Sequence, residues 1–289
     1  MSIKGLTIIG ESINDSVPST QKLFDAEDME GLKALARSQD LKGAAYIDVN
    51  VGRRPPEFMA RMVREIQSVT AKPLSIDSPD AAIAEAGLRV YDPAKAEGQR
   101  PILNSISLLR TEMFDLYAIQ PFMPILLVSE HVVNGQPAPS GSAAETHAIA
   151  REIIGTIRRR NLPIPLNHCI VDPGIAPIGT DMEGLLKRLL DGMALIHADP
   201  ELAGVHMSVG LSNFTVMLPS KRADGSPVKS ALESAFLTKA VPLGLDMIVG
   251  SMARKYEILD ASHPALVCLE DCLRLGGFDS LGRIQEFYS

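Results

Sequence analysis

The chain alternates between two kinds of segment, and that alternation constrains its fold more than any single motif. Short β-rich apolar runs at 6–10, 46–51, 73–77, 101–105, 124–129, 169–172, 205–210 and 245–250 each end in polar residues. Between them lie longer stretches with apolar residues at helical spacing. One holds Phe58, Met59, Met62, Val63 and Ile66; another Ile149, Ile153, Ile154 and Ile157; a third Leu185, Leu186, Leu189, Leu190 and Met193. Such a stripe buries one face of a helix against a neighbour. Strands too apolar to keep a solvated face are covered on both sides, as in a parallel sheet wrapped by helices. Eight of them are more than an open doubly wound sheet usually needs. The nucleotide-binding form of that sheet also wants G-x-G-x-x-G after its first strand, and here the first strand ends Ile9-Gly10-Glu11-Ser12-Ile13-Asn14. The expectation is a closed (β/α)8 TIM barrel with residues 1–289 as a single domain, a length that suits this α/β architecture. The polar, Gly- and Pro-containing stretches 130–143 and 218–227 read as long loops after the fifth and seventh strands. Asn134-Gly135 marks a tight turn in the first of them.

Composition removes several function classes. Net charge is −7 and the longest cationic run is Arg158-Arg159-Arg160. Phosphate-backbone binding needs a basic footprint, so no nucleic-acid partner is expected. No apolar run approaches the roughly 18 residues of a membrane helix, and residues 1–11 lack the charged and long apolar regions of a secretion signal. The expected location is the cytoplasm, with no membrane association. Cys169, Cys268 and Cys272 are an odd number and fit a reducing compartment. Cys268 and Cys272 share a helix face and read as small buried hydrophobes, since no second pair has matching metal-ligand spacing. His131, His147, His168, His197, His206 and His263 show no H-E-x-x-H pattern, and no G-x-S-x-G elbow or P-loop is present. No metal site is expected.

Active sites of such barrels are built at the C-terminal ends of the strands. The polar residues there are Glu11 and Asn14, Asp48 and Asn50, Asp77, Asn104 and Ser105, Asp172, and Ser212 and Asn213. Carboxylates accept hydrogen bonds and amides both donate and accept, so the rim suits a small heterocycle carrying many N–H groups. Each residue also has a local role open to it. Asp77-Ser78-Pro79 has the form of a helix cap, Asp172-Pro173-Gly174 of a turn, and Asn50 and Asn213 of left-handed turn positions. Those roles do not account for Asp or Asn recurring at six strand ends. Lys221 and Arg222 place two cations beside the rim, in a loop that is otherwise read as solvated.

The pieces Ile9-Gly10-Glu11-Ser12-Ile13-Asn14, Ile47-Asp48-Val49-Asn50-Val51-Gly52, Ser75-Ile76-Asp77-Ser78, Leu103-Asn104-Ser105, Val171-Asp172-Pro173-Gly174 and Gly210-Leu211-Ser212-Asn213 occur in this order. Together they resemble the pterin-binding methyltransferase family: methyltetrahydrofolate–corrinoid protein methyltransferases, and more distantly dihydropteroate synthases and the folate module of methionine synthase. The resemblance implies a homodimeric barrel binding tetrahydrofolate or 5-methyltetrahydrofolate as substrate. It implies that Asp77, Asn104 and Asp172 bond the amino and N–H edge of the pterin. Asp48, Asn50, Glu11 and Ser212 would line or support that cavity, and Asn213 would approach N5, the methyl-carrying atom, as the catalytic residue. The activity implied is methyl transfer between N5 and cobalamin carried by a separate corrinoid protein, because no Asp-x-His-x-x-Gly cobalamin motif is present here. A dihydropteroate synthase is the second reading. The eighth strand ends Val249-Gly250-Ser251-Met252-Ala253-Arg254-Lys255, without the Ser-x-Arg-His element by which synthases hold pyrophosphate. A non-catalytic folate-binding barrel and a Mg²⁺ enzyme using the carboxylate ring stand as further alternatives.

Overall fold

A computed structural model describes residues 3–289. Its frame is a ring of eight parallel strands: β1 (Thr7–Asn14), β2 (Tyr46–Asn50), β3 (Leu74–Asp77), β4 (Ile102–Ile106), β5 (Met123–Leu127), β8 (Ile170–Asp172), β9 (His206–Met207) and β10 (Met247–Gly250). Neighbours in the chain are neighbours in the sheet, and β10 returns to pair with β1. The ring closes between β9 and β10, where Val249 N–H donates to the Val209 carbonyl at 3.0 Å and Gly210 bridges Val249. The chain is a (β/α)8 TIM barrel.

The outer layer holds α1 (Pro18–Asp25), α2 (Met29–Leu41), α3 (Pro56–Ile66), α4 (Ala81–Val90), α5 (Ala143–Arg159), α6 (Leu185–Ala198), α7 (Lys229–Ala240), α8 (Pro264–Leu275) and α9 (Gly277–Tyr288). The helical stripes bury as their spacing predicts, with Met59, Met62, Val63 and Ile66 inward on α3 and Ile149, Ile153, Ile154 and Ile157 inward on α5. After β4 the crossover is a run of 3-10 turns, Thr111–Ala118, which buries Met113, Phe114, Leu116 and Tyr117 in place of a helix face.

Three boundaries differ from the sequence reading. β1 runs to Asn14 because a register shift between Gly10 and Ile13 lets it continue beside β2, so Glu11 and Asn14 lie within the strand rather than after it. β9 has only two residues, and 208–210 continue as a seam rather than a ladder. The expected loop 130–143 contains an antiparallel hairpin, β6 (Glu130–Val133) and β7 (Gln136–Pro139), turning at Asn134-Gly135. Both turn residues have positive φ, the conformation that Asn-Gly supplies most readily. The run after β5 was legible as a turn, but its two flanking strands are exposed and carry no apolar alternation.

Side chains alternate across a strand, so Tyr46, Asp48 and Asn50 share a face, as do Ile102 with Asn104 and Ile170 with Asp172. Ile9, Ile102, Ile125, Ile170 and Met247 pack with Tyr46, Met123 and Val249 into a cluster inside the ring, separate from the larger core between strands and helices. One pleat further toward the C-terminal end, the same faces carry carboxylates and amides. The barrel is plugged with hydrocarbon below and lined with hydrogen-bonding groups above, which puts any polar ligand at the mouth.

Candidate functional site

At the mouth, Asp48 is fully buried on β2, and among the described residues no donor reaches either of its oxygens. Burial, with Asp77 and then Glu11 adding negative charge nearby, pushes its pKa well above the ordinary carboxylate range. Burial without a partner disfavours the charged form of this carboxyl. Asp77 itself is pushed up to about 6 by burial, held from going further by Asn50, Asp48 and Arg110. Asn50 Nδ2 donates to Asp77 Oδ2 at 2.9 Å while its Oδ1 accepts from Gly52 N–H at 2.9 Å. Asn50 thus orients Asp77 and holds the turn at Gly52 through its side chain, but neither it nor Asn213 takes the left-handed backbone that the sequence left open to them; the positive φ falls on Gly52.

The helix-cap role open to Asp77 belongs to Asp80, whose carboxylate accepts from Ala82 N–H at 2.8 Å and Ile83 N–H at 3.1 Å at the start of α4. Asp80→Ala is expected to lower stability by about 1 kcal/mol, the usual loss for a cap, without changing ligand affinity. Urea unfolding midpoints beside ligand titrations check both halves of that statement.

Across the ring, Asp172 accepts from Gly174 N–H at 2.7 Å, so its turn role is real. Burial nevertheless pushes its carboxyl up to about 7, and the single backbone donor only partly offsets this. The Asn104 carboxamide sits half-buried between these acids, with no hydrogen bond among the described residues, while its backbone carbonyl accepts from Ser78 N–H at 2.8 Å. Beside Asp172 a cleft of about 470 Å³ opens between the hairpin and the β8–α6 connection, lined by Ser129, Gly174, Ile175 and Arg188 among others. Asn213 stands exposed on the rim at the seam. Asn14 lies apart from this set and shapes its own turn, accepting from Ser16 N–H at 2.8 Å.

Residues 13–249 match the family described as pterin binding enzyme. The chain belongs to the pterin-binding enzyme family. It is 25% identical over 250 residues to the methylcorrinoid:tetrahydrofolate methyltransferase of Eubacterium limosum, spanning 84% of each chain. In fold it is similar to the dihydropteroate synthase of Xanthomonas albilineans in complex with 7,8-dihydropteroate, at 19% identity, TM-score 0.51 and 94% of each chain. It is likewise similar to the Yersinia pestis dihydropteroate synthase, at 16% identity, TM-score 0.51 and 92% of each chain.

This pterin-binding enzyme carries a second polar cluster that sequence reasoning missed. Glu233 on α7 is completely buried, ion-paired to Arg254 and accepting from Thr215 Oγ1. Arg254 Nη1 also reaches Ser212 Oγ at 3.4 Å, and Ser212 donates to Glu11. Burial raises the pKa of Glu11 against the pull of Ser212 and Arg254, and raises that of Glu233 against Arg254 and Thr215. Glu233 gave no signal because an isolated glutamate in a helix is ordinary, and only the fold brings it under the rim.

Arg110 was missed for a similar reason. It donates to the Ser105 carbonyl at 2.9 Å, to Ser105 Oγ at 3.0 Å and to Glu130 at 2.9 Å, bracing the β4 end against the hairpin. Of the two loop cations singled out earlier, Arg222 stacks on Phe287 of α9 at 3.9 Å, and Lys221 is exposed. The three cysteines are buried, Cys268 and Cys272 donating to carbonyls of Arg283 and Ser280 under α9. Among the described residues no three His, Cys, Asp or Glu side chains gather as a metal site, and no helix is long and apolar enough to cross a membrane.

Proposed function

We propose that this chain moves a methyl group between N5 of tetrahydrofolate and a corrinoid protein. The observation that carries the reading is the mouth itself. Asp77, Asn104 and Asp172 stand at the C-terminal ends of β3, β4 and β8 on the faces that line the barrel interior, and at the seam the exposed Asn213 carboxamide has no partner among the described residues. The three residues meet the amino and N–H edge of the pterin, with Asp48, Asn50, Glu11 and Ser212 supporting them. The neighbouring cleft leaves room for the part of the folate beyond the pterin. The similarity to a methylcorrinoid:tetrahydrofolate methyltransferase supports the same reading.

The corrinoid, carried by its own protein, supplies cobalt that accepts or gives the methyl group. When N5 receives the methyl, its lone pair forms the C–N bond, the C–Co bond breaks with its electrons left on cobalt, and the N5 proton is lost. In the other direction N5 must gain positive character before the C–N bond breaks. An amide serves both directions, because it donates to a bare nitrogen and accepts from a protonated one. The work left to the chain is placement and electrostatics at N5, which needs no nucleophilic side chain.

A synthase has to grip a pyrophosphate. Arg254, a cation at the end of the last strand, is already paired with buried Glu233, with Glu11 nearby. Calorimetry therefore separates the readings. Binding of 5-methyltetrahydrofolate, with none of a pterin pyrophosphate, is expected; the reverse preference would overturn the proposal in favour of the synthase.

A pH dependence follows from the same acids. The pterin N–H edge favours ionised carboxylates, whereas free Asp172 and Asp77 hold protons up to about 7 and about 6. Binding should release protons, and folate affinity should fall as pH drops below about 7, approaching tenfold per pH unit for each group titrated. Titrations in buffers of different ionisation enthalpy check the proton count.

A further inference from the structure

Among the described residues no polar group bonds the exposed Asn213 carboxamide, yet methyl transfer needs that amide at one place. The residue that leaves room for it where it stands is Gly210. Its backbone, at φ −74° and ψ 81°, is in a region open to L-amino acids, so conformation alone does not call for glycine. Space does. A β-carbon at 210 would stand 2.9 Å from Asn213 Nδ2, closer than a carbon and an amide nitrogen can rest. The carboxamide lies in the volume that a side chain at 210 would fill. The same stretch is tied down at both ends: Asn213 N–H donates to the Gly210 carbonyl at 3.0 Å, and Gly210 bridges Val249 where the barrel closes.

We infer that Gly210 is a positioning residue for the Asn213 carboxamide, coupling the amide to the closing seam of the barrel. This rests on the methyl-transfer reading. A methyl group at 210 leaves the seam intact and displaces the amide.

The test compares wild type, Gly210→Ala, Asn213→Ala and the double variant, assayed with methylcobalamin and tetrahydrofolate. Gly210→Ala is expected to keep its melting temperature and its KM for tetrahydrofolate, and to lose about 10- to 100-fold in kcat, the scale of a misplacement near 1 Å. In the Asn213→Ala background there is room for the methyl, so the second change should cost nothing further, which a merely structural defect would not reproduce. A contact readout independent of turnover is the side-chain amide NMR signal of Asn213, identified by its loss in Asn213→Ala and expected to shift in Gly210→Ala.

An unmoved amide signal overturns the inference whatever the reaction. So does wild-type kcat in Gly210→Ala when Asn213→Ala is impaired, or an equal loss with and without Asn213. A shifted amide signal with full activity in Asn213→Ala overturns the catalytic assignment of Asn213, and the positioning role with it, while leaving the contact in place.

Discussion

Asn213→Ala is expected to lower methyl transfer about 10²- to 10³-fold in kcat, the loss seen when one preorganised group facing developing charge is removed. Its effect on tetrahydrofolate KM should stay small, because in the proposed reading the pterin is held by Asp77, Asn104 and Asp172. Stability should be unchanged, since the side chain is exposed and bonds to nothing in the described residues. Asn213→Asp is an informative companion. Its carboxylate accepts but does not donate, so it would serve a protonated N5 and fail a bare one. Single-turnover measurements in both directions of transfer resolve the two.

The second large effect concerns stability and has the opposite sign to the functional loss. Asp172→Asn is expected to make the protein more stable above neutral pH while weakening folate binding. Burial holds the Asp172 carboxyl up to about 7, far above its ordinary value of 3.8. Its favourable contribution is fully present below the unfolded value and is lost as pH rises through 7. Asparagine stays neutral and still offers an oxygen to Gly174 N–H. The variant should gain up to about 4 kcal/mol at pH 8, shrinking toward zero near pH 4. Urea midpoints at several pH values measure this. Asp48, Asp77 and Glu11, each raised in the same direction, keep part of the wild-type decline in place. Folate affinity should fall about 10- to 100-fold for the loss of a charged acceptor. An unchanged affinity would remove Asp172 from the binding set. The ring of buried acids with raised pKa is thus maintained against folding stability, as functional sites commonly are.

Much of this was legible because the barrel is a period-two object. Ile102 with Asn104 and Ile170 with Asp172 announce in the sequence that an apolar face turns polar as the strand ends, and strand ends are where such barrels keep their sites. What stayed hidden depends on contacts between residues far apart in the chain. Glu233 is distant from Ser212 in sequence, and no local pattern marks it as buried beneath the rim. Asp77 and Asp80 are both good helix caps on paper, and only the course of the chain after β3 assigns the cap to Asp80 and leaves Asp77 free. Gly210 looks like a turn glycine until the position of the Asn213 amide is known. The 130–139 hairpin escaped because exposed strands have no buried face to impose alternation.

The most direct test of the account is an anaerobic assay of methyl transfer from methylcobalamin to tetrahydrofolate, followed by the change in the cobalt spectrum. The expected result is a spectral change that requires both this protein and tetrahydrofolate and that nearly vanishes in Asn213→Ala. Turnover that is indifferent to Asn213, or a protein that binds no folate in calorimetry under the same conditions, would contradict it.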